Sequence, residues 1–121
     1  MRPDPFSLFA FYHLGFDEHF NYRFRNLHET ARHFGADSAQ IMAWLTEQGM
    51  DPETIRHVDF NLSKAHADAM ELDLEGASTE ARESFAREAF ARYQTQRANT
   101  RRATPYEDLD YDDLLGMKGK R

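Results

Sequence analysis

Cysteine is absent from this 121-residue chain, which removes disulfide frameworks, thiolate metal sites and cysteine nucleophiles from consideration. A reducing compartment is permitted, and the cytoplasm is the expected location. Long apolar runs are also missing. The most hydrophobic stretch, Phe6 to Leu14, falls well short of the ~20 residues that a membrane-spanning helix needs. His13 within it, the early prolines Pro3 and Pro5, and the lack of a small-residue cleavage site argue against a signal peptide. Residues 1–15 are therefore read as an aromatic segment that packs on the core.

Recognisable catalytic machinery is lacking as well. There is no glycine-rich phosphate loop, no nucleophile elbow and no pair of carboxylates in an apolar setting. His28-Glu29-Thr30-Ala31-Arg32-His33 invites comparison with the zinc-protease helix, but its histidines are five apart instead of four. Five steps turn a helix by about 140°, so the two rings cannot converge on one metal. His57 and His66 flank the Asp59 to Ser63 link, where Asp59 or Asp68 is within sequence reach of them. No enzyme, metal or cofactor is expected, and no small-molecule substrate.

What is present is a chain with 40% hydrophobic and 13% aromatic residues, enough for one core in one small domain. Its net charge of −6 is unevenly spread. Residues 1–60, 61–76 and 106–121 are acidic, whereas residues 77–105 are basic.

Helical periodicity and stop signals divide the chain into segments. Phe16, Phe20 and Phe24 recur at i, i+4 and i+8, predicting a first helix with Asp17 or Glu18 near its positive end. Asn26, with Glu29 three residues on, predicts a capping box for a second helix. Leu27 and Phe34 supply its inner face, Ala31 permits a close crossing, and Gly35 opens the turn through positive φ. Ser38 is the expected cap of a third helix, with Ile41 and Trp44 facing inward and Gly49 closing it. Asp51-Pro52-Glu53 starts a short helix toward Val58. Another fits Asn61 to Glu75, with Leu62, Ala65, Ala69 and Leu72 on one stripe and Gly76 at its end.

From Ser78 or Thr79 to about Asn99 the pattern predicts the longest helix, with Ala81, Phe85, Ala89 and Tyr93 at i+4 intervals and Phe90 beside them. Arg82, Arg87, Arg92, Arg97 and Arg102 repeat every five residues, so they point all round that helix and form no phosphate-binding row. A solvated, self-paired face is expected, with Glu83–Arg87 and Glu88–Arg92 as i, i+4 pairs of about 0.3 kcal/mol each. Residues 104–121 alternate acids with Tyr106, Leu109, Tyr111, Leu114, Leu115 and Met117, and read as a flexible acidic tail carrying apolar anchors for a partner. The expected architecture is all-α: a core over 16–76, a long helix over 77–103 and the tail.

Asn26 to Gly49 resembles a helix-turn-helix, similar to the tri-helical modules of transposases, resolvases and homeodomain-like regulators, over residues 16–49 if the aromatic first helix is included. The resemblance implies DNA binding through the third helix. On that reading Ser38 and Gln40 meet phosphate and base, and Arg23, Arg25 and Arg32 supply the attraction. The segment Asp37 to Gly49 nevertheless contains no Lys or Arg, and it carries Asp37 and Glu47. A DNA reader neutralises phosphates with clustered cations. The favoured expectation is therefore a regulatory or adaptor protein. Its third helix offers Ser38, Ala39, Gln40, Ala43 and Thr46 to another protein, either a second copy or a heterologous chain. A sequence-specific DNA-binding regulator is the alternative.

Overall fold

Asp4, Asn26, Asp37, Asp51 and Asn61 each accept the backbone N–H of the residue three positions on. Such bonds satisfy N–H groups that the first helical turn leaves without partners. They start α1 (Pro5–Phe9), α2 (Leu27–His33), α3 (Ser38–Glu47), α4 (Pro52–Arg56) and α5 (Leu62–Leu74). Ser78 does the same for Ala81 at the head of α6 (Thr79–Ala103). The computed structural model describes residues 2–103, with side chains to Thr100. It is all-α, and the only extended pairing among the described residues is an isolated antiparallel bridge between Phe16 and Tyr22. The tail anchors Tyr106, Leu109, Tyr111, Leu114, Leu115 and Met117 lie outside the described residues.

The aromatic N-terminal segment packs on the core as expected, and it does so as a helix. α1 runs directly into a π-helical turn, Ala10–Leu14, which touches α2, α5 and α6. Leu8, Phe9, Phe11 and Leu14 are buried. Phe9 lies at the centre, its ring 5.3 Å from Phe90, 5.8 Å from Tyr93 and 6.3 Å from Phe60. Removing such a ring from water contributes about 1.5–3 kcal/mol. Ile41 and Leu45 of α3, Ala65 and Ala69 of α5, and Ala86, Ala89 and Tyr93 of α6 close around it.

The helix expected over Phe16 to Phe24 is not formed. Gly15 at φ 89° ends the preceding turn, and Phe20 takes a left-handed φ of 63°. The Asp17 carboxylate accepts the N–H groups of His19 (2.8 Å) and Asn21 (3.0 Å), giving the backbone a local alternative to helical bonding. The three phenylalanines consequently part company: Phe16 is buried, Phe20 is half-buried, and Phe24 is 72% exposed.

Smaller corrections concern helix caps, where local partners compete, and which residues of a helix face the core. Asp37, not Ser38, caps α3, forming a reciprocal box with Gln40. Asn26 caps α2, but the Glu29 carboxylate pairs with Arg23 instead of turning back to complete a box. Leu45 is fully buried while Trp44 is half-buried. Ala81 is exposed, and Ala86 takes the buried place on α6. The turn after α2 follows expectation, with Gly35 at φ 67° and Ala31 buried where the helices meet.

Two of the α6 arginines, Arg82 and Arg97, are less solvated than their spacing suggests. Glu83–Arg87 pairs at 2.9 Å. Arg82, in contrast, is largely covered and donates to Asp73, to the Ala77 carbonyl and to the Phe20 carbonyl. Arg97 lies directly over Gly49. Arg92 lies 5.9 Å from the Phe60 ring centroid.

Candidate functional site

α3 packs on α2 and turns Ile41 and Leu45 into the core, which leaves Ala39, Ala43 and Thr46 exposed along one narrow stripe. Gln40 is exposed beside them, but its Oε1 accepts the Asp37 N–H at 3.1 Å, so part of its hydrogen-bonding capacity goes to starting the helix. Ser38 is half-buried at the first helical position. The stripe is small and uncharged, bounded by Asp37 at one end and by Glu47, paired with Arg2, at the other. Four of the five residues expected to present this helix to a partner are thus exposed, and Ser38 is partly withdrawn.

The arginines named for the DNA alternative do not form a ridge. Arg23 pairs with Glu29. Arg25 has a side chain only 10% exposed and lies 4.4 Å over the Phe11 ring. It donates to the carbonyls of Asn21 (3.2 Å) and Gly15 (3.4 Å), so it braces the turn between α1 and α2. Arg32 alone of the three is exposed with no ion pair among the described residues. Sequence spacing could not separate these fates, because a basic residue in a loop reads the same whether it binds a carbonyl or faces water.

His13, His33 and His66 act as structural ties. His33 stacks on Phe11 at 4.2 Å and reaches Glu18 at 3.1 Å, while His28 is exposed on α2. His57 meets Glu53 at 3.3 Å, not Asp59. The Nδ1 of His66 donates to the His13 carbonyl at 3.1 Å, and in the neutral ring its Nε2 accepts from the Tyr22 hydroxyl at 2.8 Å. His13 is buried and donates from Nε2 to the Met50 carbonyl at 2.7 Å, and desolvation lowers its pKa from the usual 6.5 to about 4. Among the described residues no group of three acidic or imidazole side chains is arranged to hold a metal ion. No described helix is long and apolar enough to cross a membrane.

Two grooves lie at the two ends of α2, and neither was legible in the sequence. At its C-terminal end a groove of about 410 Å³ has Phe6, Phe16, Phe20 and Phe34 in its walls, with acidic side chains at the rim. At its N-terminal end a more open groove of about 560 Å³ runs between the exposed Phe24, Tyr12, Leu27 and Leu62. Breaking the first helix at Gly15 and Asp17 places Phe20 in one groove and Phe24 in the other. No protein-family model, curated protein or solved structure matches this chain.

Proposed function

We propose that this protein is a non-enzymatic regulatory or adaptor protein that docks a partner polypeptide on the exposed face of α3, a helix-turn-helix scaffold turned to protein contacts. The observation that carries the reading is the character of that face. Ala39, Ala43 and Thr46 form an exposed stripe without charge, as a close helix–protein contact requires. Small side chains let a partner backbone approach, and no desolvation of buried charge opposes it. The acidic, apolar segment carrying Tyr106, Leu109, Tyr111, Leu114, Leu115 and Met117 supplies a second attachment of the same kind.

DNA binding through the same helix is the competing reading, and the charge pattern disfavours it. Asp37 and Glu47 flank the reading positions, while Arg23 and Arg25 are already engaged within the protein. Approach to a phosphate backbone needs several free cations at physiological salt. A photo-crosslinking residue at Ala43 tests the two readings together. The expected outcome is a discrete polypeptide adduct in cells of origin and no duplex binding in salt titrations. Nanomolar affinity for duplex DNA with a steep salt slope overturns the proposal.

A further inference from the structure

The groove at the C-terminal end of α2 combines an apolar floor with a rim of one dominant sign. Phe6 and Phe20 face each other with ring centroids 6.5 Å apart, and Phe34 closes the far side through an edge contact with Phe11 at 5.4 Å. Phe6, Phe20 and Phe34 are only half-buried, so their rings offer the groove a contact surface that the core leaves unfilled. Around them stand Asp4, Asp17, Glu18 and Glu83, with one arginine, Arg87. Glu18 and Glu83 keep 63% and 43% of their side chains exposed even while touching His33 and Arg87. Arg87 pairs with Glu83 and Arg25 with Asp17 (3.9 Å), and Asp4 accepts from Ser7, so four carboxylates face two guanidinium groups and the rim stays net acidic; the Arg87 guanidinium lies 4.2 Å from the Phe6 ring centroid.

We infer that this groove binds a segment of a separate protein that carries a large apolar side chain flanked by lysines or arginines. The apolar side chain replaces water over Phe20, Phe34 and the part of Phe6 that Arg87 leaves uncovered, and release of that water favours binding. The flanking cations meet Glu18 and Asp4 on one side and Glu83 on the other, and their aliphatic stems cover the ring edges. Nucleic acid is repelled by the same rim. A second copy of the chain is also a poor occupant, because two bodies each with net charge −6 repel one another. This surface shares no residue with α3, so it extends the reading above without depending on the α3 face.

The test is an isotope-labelled titration of the full chain with an acetylated, amidated hexapeptide of two lysines, leucine, phenylalanine and two lysines. Two control peptides accompany it, one with glutamates for the lysines and one with serines for the apolar pair. The expected result is saturable binding below about 1 mM, with amide shifts concentrated at Phe6, Phe20, Phe34 and Glu18. Each control peptide is expected to bind at least roughly tenfold more weakly, and so is the parent peptide to the Glu18→Gln, Glu83→Gln double variant. Phe24→Ser, at the other groove, leaves the affinity unchanged. Equal binding of the serine peptide, shifts centred on α3 or on Phe24, or no binding at all overturns the inference. The shift map in the unmodified chain decides the matter even if the double variant unfolds.

Discussion

The Tyr93 hydroxyl donates to the Gly49 carbonyl at 2.5 Å, joining the middle of α6 to the residue that ends α3. Tyr93 is fully buried, and burial raises its phenol pKa to about 12. On the other side of Gly49, the guanidinium of Arg97 occupies the space a Cβ would need. One backbone unit is thus clamped between two side chains of the long helix. Tyr93→Phe should therefore leave a buried carbonyl without its partner and cost about 1–3 kcal/mol in denaturant unfolding. Gly35, equally left-handed but with open space where a Cβ would sit, provides the comparison. Gly49→Ala should cost more than Gly35→Ala, and the excess should shrink in an Arg97→Ala background, as a double-mutant cycle would measure.

His13 makes stability depend on pH in a definite window. Its pKa is lowered from 6.5 to about 4, chiefly by burial. Between those values the unfolded chain binds a proton that the native state refuses, so stability falls as pH drops from about 6.5 and levels off below about 4. The total loss is on the order of 3 kcal/mol. Asp51 responds lower on the scale: burial opposes its ionisation, but hydrogen bonds from Thr54 outweigh that and hold its pKa below the usual 3.8. Its contribution is present above 3.8 and lost only as pH falls further. Urea unfolding of the parent and of His13→Gln at stepped pH should show the slope above pH ~4 largely removed in the variant. An unchanged slope would exonerate His13.

Capping assigns different values to two adjacent residues. Asp37→Ala removes the acceptor for the Gln40 N–H and should lower stability by about 0.5–2 kcal/mol. Ser38→Ala, at the first helical position, should stay within roughly 0.5 kcal/mol. Thermal melts of the two variants are sufficient, and a reversed order would restore Ser38 as the cap.

The broken aromatic periodicity is equally measurable. Phe16→Ala empties a fully buried site and should cost about 3–5 kcal/mol, whereas Phe24→Ala trims a ring that is 72% exposed and should cost under roughly 1 kcal/mol. Similar losses at both positions would signal that residues 16–24 are helical after all.

Much of the helical layout could be read directly from the residues, because caps and helix ends are local events. Asn26, Asp51-Pro52 and Asn61 start helices where their side chains reach a backbone N–H three residues on, and Gly35, Gly49 and Gly76 end them at positive φ. No distant partner is needed for either. The absence of cysteine and of any cation between Asp37 and Gly49 is likewise a matter of residue identity. Tertiary structure decided the remainder. Whether Phe16, Phe20 and Phe24 form one face depended on distant groups as well as on Asp17, since Arg82, 62 residues on, donates to the Phe20 carbonyl and Phe16 is drawn into the core. Whether Arg25 faces solvent or braces a turn depended on carbonyls four and ten residues away. The two grooves at the ends of α2 arise from segments far apart in the chain, and only packing brings α1, α2 and α6 together at the first of them. Local hydrogen bonding is encoded within a few residues, whereas a surface is made by whichever distant side chains the core leaves outside.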